Sequence, residues 1–238
     1  MKTMNHSRLL SAVLVGFTMA LCAVGSASAA AAPENRILPV EQYTSEKARN
    51  LAITYKGAMR DFNSRVYHCL PWVEVQKGSI GFFKPKGADG DARYMSVRMY
   101  IEQEPSPQFS GLAIEERASS MFSRYVGPMV KRMASAPGLM NDGSVDGFTV
   151  ILEWLKQVPA SASARPIHET IAAFITKPAA REYLTGMVAP RDFAAKARVM
   201  AWDGGTPLGQ LRLSAWEDNF LSTFKVKNYE VEPGVTCP

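Results

Sequence analysis

Between Thr44 and Leu70, apolar residues recur three and four apart: Ala48, Leu51, Ala52, Tyr55, Ala58, Met59, Phe62 and Val66. Charged residues such as Lys47, Arg49, Arg60 and Arg65 fill the gaps, so the run reads as one amphipathic helix. Thr44 or Ser45 suits the N-cap and Glu46 the first turn, and Pro71 stops the run. Gly57 weakens its middle by up to about 1 kcal/mol relative to Ala. A second helical run covers 112–134, with Ile114, Ala118, Met121, Phe122, Tyr125, Met129 and Met133 on its apolar side. Its methionine stripe reads as core packing. Pro128 removes a hydrogen bond inside this run, so a kink is expected at Gly127–Pro128. A short third helix over 177–186 ends at Gly186.

Period two marks the strands. Residues 92–103 alternate Met95, Val97, Met99 and Ile101 with Tyr94, Ser96, Arg98, Tyr100 and Glu102, as in a half-exposed sheet. Residues 72–86 read as a partner strand, bent or bulged near Gly78. Residues 146–157 are apolar on both faces, which predicts a central strand, and 167–176 its return. Residues 192–202 and 208–216 form a hairpin about the turn 203–207, and one more short strand is expected within 217–238. Helices begin near 45, 113 and 178, which suggests a repeated helix-strand-strand unit. The fold class that follows is α+β with two layers. An antiparallel sheet built from successive hairpins carries two main helices on one face. A single domain is expected over 44–238 behind a flexible leader at 30–43, with a sub-boundary near 135–146 if the chain divides.

The N-terminus changes the picture by adding a compartment. Lys2 and Arg8 precede an unbroken apolar run from Leu9 to Gly25, then Ala27 and Ala29 in a small-x-small arrangement. That order predicts a signal peptide over 1–29, cleaved after Ala29. An uncleaved membrane anchor is the alternative, but the run is marginal for a spanning helix. Cys22 has bulky Leu21 before it, which disfavours a lipoprotein signal. No second long apolar run follows, so no transmembrane segment is expected after cleavage.

Composition is that of a globular chain, 47% hydrophobic and 21% charged. Without Lys2 and Arg8, 25 basic residues face 22 acidic ones, too weak and too evenly spread an excess for nucleic acid. No polybasic cluster addresses an anionic membrane either.

Export makes the stretch Arg65–Trp72, with His68 beside Cys69, the main chemical question. Loss of Cys22 leaves Cys69 and Cys237, an even pair in an oxidising compartment, which reads first as a disulfide. Closing a loop of about 168 residues is worth roughly 5 kcal/mol by chain entropy, and in practice about 2–4 kcal/mol. Such a bond would hold a tail that Pro233, Gly234 and Pro238 keep irregular. A catalytic Cys69 or a zinc site using His68, His168 and the two cysteines are the competing readings. The first lacks an unpaired thiol, and the second lacks ligand spacing. His68 itself suits the carbonyl pole of a helix end.

The chain has no nucleophile elbow, zinc helix, phosphate loop or dinucleotide fingerprint. No cofactor and no metal are therefore expected, and no catalytic residue is assigned. The most suggestive surface is the polar side of 92–103, where Tyr94, Arg98 and Tyr100 interleave aromatic and cationic groups suited to contact. Cross-strand pairing on a solvated face, or packing beneath a helix, is the more ordinary explanation of the same residues. His168 and Glu169 are strand neighbours and should point to opposite faces. The expected function is a non-catalytic binding or envelope-interaction protein, periplasmic or secreted, with Tyr94, Arg98, Tyr100 and His168 facing its ligand. That ligand would be a protein, peptide or glycan of the cell envelope. The alternative is a small secreted hydrolase, its groups drawn from distant segments and His168 among them.

Overall fold

Helix and strand boundaries follow local chain chemistry. A computed structural model describes residues 30–102, 106–157, 161, 165–213 and 236–237. The expected signal peptide (1–29), most of the connector 158–164 and the extra strand expected within 217–238 lie outside the described residues, apart from Thr236 and Cys237. From Ala31 onward, the described residues belong to one compact unit.

Two 3₁₀ turns, Glu34–Arg36 and Val40–Gln42, lead into α1 (Glu46–Thr54). Ser45 caps it, its Oγ accepting from the Ala48 N–H at 3.3 Å. The single helix expected over 44–70 is interrupted at Tyr55 (φ −102°, ψ 18°) and resumes as α2 (Lys56–Cys69). Gly57 follows the break, and a Cβ there would meet nothing within 4 Å. Its contribution to the break is therefore low helix propensity, not packing.

The bent strand expected over 72–86 resolves into β1 (Val73–Val75) and β2 (Gly81–Phe83), with Gly78 at φ 65° in the turn between them. Both pair antiparallel with β3 (Tyr94–Ile101) along the same edge. A short α3 (Pro107–Ser110) precedes α4 (Ile114–Met121), a π turn (Phe122–Val126) and α5 (Gly127–Ala134). The kink expected at Gly127–Pro128 is this π turn. Pro128 has no N–H to offer the carbonyl one turn back, and the Gly127 N–H instead reaches Phe122 O, five residues earlier.

The chain then makes β4 (Gly147–Gln157), β5 (Ile167–Thr176), α6 (Lys177–Leu184) and α7 (Pro190–Phe193), followed by a 3₁₀ turn at Ala194–Lys196. The strand expected from 192 begins only at Arg198. Pro190 starts a helical turn that places Phe193 face to face with Tyr183, ring centroids 4.0 Å apart. β6 (Arg198–Asp203) and β7 (Thr206–Leu211) complete the expected hairpin.

The fold is α+β, with seven strands in the order β1-β3-β4-β5-β6-β7 and β2 also on β3. The sheet is mixed and mainly antiparallel. One pair departs from the all-hairpin expectation: β3 and β4 run parallel. They are joined by the helices α3 to α5, the crossover that a parallel pair needs. β4 lies between β3 and β5, the central place its two apolar faces predicted.

One sheet face feeds the core. Met95, Val97, Met99 and Ile101 of β3, Phe148, Val150, Leu152 and Trp154 of β4, and Ile171, Ala173 and Ile175 of β5 share it with Phe62, Phe122, Met129 and Met133 from the helices. At Gly147 an added Cβ would lie 2.2 Å from the Ile175 carbonyl and 2.7 Å from the Tyr94 ring, so only glycine fits.

A buried ion pair ties helix to sheet. Arg117 on α4 donates from Nε to Glu169 Oε2 at 2.7 Å and from Nη2 to Oε1, while its Nη1 reaches the Ser110 and Leu112 carbonyls. Trp154 Nε1–H donates to the same Glu169 Oε2 at 3.1 Å. Glu169 is wholly buried and Arg117 is 5% exposed.

The loop at 135–146 is anchored at several points. Asp142 Oδ2 accepts from the Tyr55 hydroxyl at 2.9 Å, and Asp146 Oδ2 accepts from Lys47 Nζ and from the Arg93 N–H. Burial, then the bond to Asp142, push the Tyr55 phenol from 10.0 up to about 12.

Two stability predictions follow from these contacts. Glu169→Gln leaves Arg117 buried without its anion and should cost about 3–5 kcal/mol, a melting temperature lower by roughly 10 °C. Arg117→Met with Glu169→Leu should recover most of that loss in the same calorimetric scan. For Tyr55, the folded state keeps a proton that the unfolded chain releases. Its share of stability is therefore intact below pH 10 and lost as pH rises from about 10 to about 12. Tyr55→Phe should cost about 1 kcal/mol at pH 7 yet decline less over that alkaline window, read from urea midpoints against pH.

Candidate functional site

The sheet face opposite the core carries the residues singled out from the sequence. Period two puts Tyr94, Ser96, Arg98 and Tyr100 of β3 on that side. Register then places β4 and β5 residues beside them: Tyr100 pairs with Glu153, and Glu153 with Thr170. His168 pairs with Leu155, two residues along β4 from Glu153 and on the same face.

Four side chains converge there. Arg98 Nη2 donates to Glu153 Oε2 at 2.8 Å, and His168 Nδ1 lies 3.5 Å from Glu153 Oε1. The His168 ring meets the Tyr100 ring edge to face, with centroids 5.4 Å apart. The side chains of Arg98, Glu153 and His168 are 42%, 25% and 32% exposed, so the patch is wet at its rim. Burial raises the Tyr100 phenol above its usual 10.0, helped by Glu102, Glu153 and Glu74. Tyr100 therefore presents a neutral O–H donor throughout the physiological range.

Tyr94 does not join them. Six residues along an extended strand is about 20 Å, and Tyr94 packs over Gly147 at the far end of β3. There Arg198 stacks on Phe174, its guanidinium carbon 4.6 Å from the ring centroid. The structure thus brings together Arg98, Tyr100 and His168 and leaves Tyr94 apart. Glu153, the group that joins Arg98 to His168, was missed in the sequence. A lone acid in an otherwise apolar stretch, "FTVILEWL", was the available signal.

His168 and Glu169 do point to opposite faces. Glu169 is consumed by Arg117 in the core, and His168 is left on the open side. Among the described residues, no Ser or Thr hydroxyl bonds to His168, and no group of three potential metal ligands forms. Cys69 and Cys237 are joined in a disulfide, with Cα atoms 5.5 Å apart. The bond leaves Cys69 without a thiolate for nucleophilic or metal chemistry. His68 lies in the last turn of α2, its ring edge-on to Tyr67 at 5.0 Å.

No family model matches this chain, and no curated protein or solved structure matches it. No helix among the described residues is long and apolar enough to cross a membrane.

The disulfide is directly testable. Alkylation without reductant should modify neither Cys69 nor Cys237, and reduction should cost about 2–4 kcal/mol in a denaturant titration. Full labelling of both cysteines in the native protein would remove the clasp.

Proposed function

We propose that this chain is an exported, non-catalytic binding protein of the cell envelope, and that the β3–β5 face holds its ligand or partner. The convergence of Arg98, Glu153, Tyr100 and His168 carries this reading. It sets a planar cation, an acceptor and two amphipathic rings side by side on rigid strands. Arg and Tyr dominate the energetics of contact patches because each offers large area with directional hydrogen bonding. The Arg98–Glu153 bond occupies one of the guanidinium's five donors and orients the rest. Such a surface suits a peptide or glycan that supplies both polar groups and a flat apolar side. The charged n-region, apolar run and small-x-small exit of residues 1–29 support export, and the Cys69–Cys237 bond agrees with an oxidising compartment.

The His168–Glu153 contact favours a second reading, a hydrolase in which Glu153 orients His168 as the base. Deeper burial and a bound nucleophile would strengthen it; the His168 side chain is 32% exposed, and among the described residues no Ser or Thr hydroxyl bonds to it.

The two readings separate experimentally. Arg98→Ala should weaken retention of an envelope-derived peptide or glycan by about 10-fold or more, as expected at the centre of a contact patch. Arg191→Ala, an exposed residue of α7, should leave retention unchanged. Equal retention by both variants would sink the binding face. Ester or amide turnover abolished by His168→Ala would move the assignment to the hydrolase.

A further inference from the structure

A second site lies at the β1 edge, where Glu74 pairs with Tyr100 and so borders the candidate face. There an open cleft of about 240 Å³ is bounded by Arg36, Tyr67, His68, Pro71, Val73, Glu74 and Glu102. Three separate stretches build it: the Glu34–Arg36 turn, the end of α2, and the outer strands of the sheet.

Arg36 is the unusual member. Its backbone is held by pairing of the leader with the β1–β2 connection: the Ile80 N–H donates to Arg36 O at 3.0 Å, and the Gly78 N–H to Asn35 O at 2.8 Å. Its side chain is folded inward and only 9% exposed. The guanidinium carbon stacks 5.1 Å from the Tyr67 ring centroid. Its buried Nη1 has no hydrogen-bond partner. Glu74 acts on it through space rather than through a bond. An orphaned, buried donor on a cation is among the costlier states a polar group can adopt. Burial accordingly lowers the affinity of Arg36 for its proton. A guanidinium preorganised by stacking in the wall of a cleft can take a carboxylate by its planar fork.

The rest of the cleft narrows the ligand. Glu74 and Glu102 are both exposed at its rim, and two carboxylates repel a simple anion. They attract an ammonium group set a short distance from the carboxylate that Arg36 holds. Pro71, Val73 and the Tyr67 ring supply an apolar wall between the two poles. The volume falls below the roughly 300–1,000 Å³ of sites for drug-sized molecules. We propose that this cleft binds a small zwitterion, a free α-amino acid, with its carboxylate on Arg36 and its ammonium between Glu74 and Glu102.

Titration calorimetry on the disulfide-intact chain tests the assignment with L-leucine, L-glutamine and L-phenylalanine as probes. N-acetyl-L-leucine and L-leucinamide serve as one-pole controls. At least one amino acid should bind. For leucine, removing either pole should weaken binding 10-fold or more. Arg36→Lys, which keeps the charge and loses the fork, should weaken the bound amino acid 10-fold or more. Glu74→Gln with Glu102→Gln should do the same, and it alters exposed residues alone, so the fold is preserved if Arg36→Lys is not. Arg191→Ala, at an exposed residue of α7, should bind as the parent does. The proposal fails if all three amino acids give no heat at millimolar concentration. It fails equally if N-acetyl-L-leucine binds as tightly as leucine, which would mean a generic anion site. Binding left unchanged by the Glu74/Glu102 change would also overturn it.

Discussion

The bidentate bond between Arg117 and Glu169 is the constraint from which most of the architecture follows. Both groups are removed from water, so neither tolerates losing the other. The bond anchors α4 to β5, and the Trp154 N–H adds a second donor to Glu169 Oε2 from β4. A buried pair of this kind is weak evidence for net stability, but it enforces register. Slipping β5 by one residue would expose Glu169 and push His168 under α4. The acid in the core and the histidine on the open face are therefore two consequences of one register.

That register assembles the candidate binding face. Arg98, Glu153 and His168 sit on three adjacent strands, and Arg98 is 55 residues from Glu153 in the chain. They meet because β3 and β4 run parallel and β4 and β5 antiparallel at fixed offsets. Rigid strands suit such a patch better than loops, since side-chain positions then depend on backbone pairing. The groups present are a paired cation, a neutral phenol donor and an imidazole, with Arg98 and His168 partly wet.

The β1 edge is built differently. Here a leader segment that has little regular structure of its own is stitched to the β1–β2 connection by backbone bonds, and to α2 by the Asn63 Nδ2 bond to Pro33 O. The disulfide clasps Cys237 to the end of that same helix. Both additions converge on α2 and stiffen the cleft wall that carries Tyr67. Arg36 buried without a bond to its Nη1 is tolerable because this surrounding framework holds it.

Read alone, the chain determined its elements wherever the signal was local. The three-and-four spacing of α1, α2, α4 and α5, the alternation of β3 and the double apolar face of β4 all have causes within a few residues. So does the π turn, whose origin is the missing N–H of Pro128. Tertiary structure alone decided the rest. No local pattern states that β3 and β4 run parallel, because strand direction is set by where the α3–α5 crossover returns the chain. No pattern states that Glu153 joins Arg98 to His168, or that Arg36 turns inward onto Tyr67. Those contacts join residues from 15 to 55 positions apart, and they exist because the packed fold brings distant polar groups to the same surface.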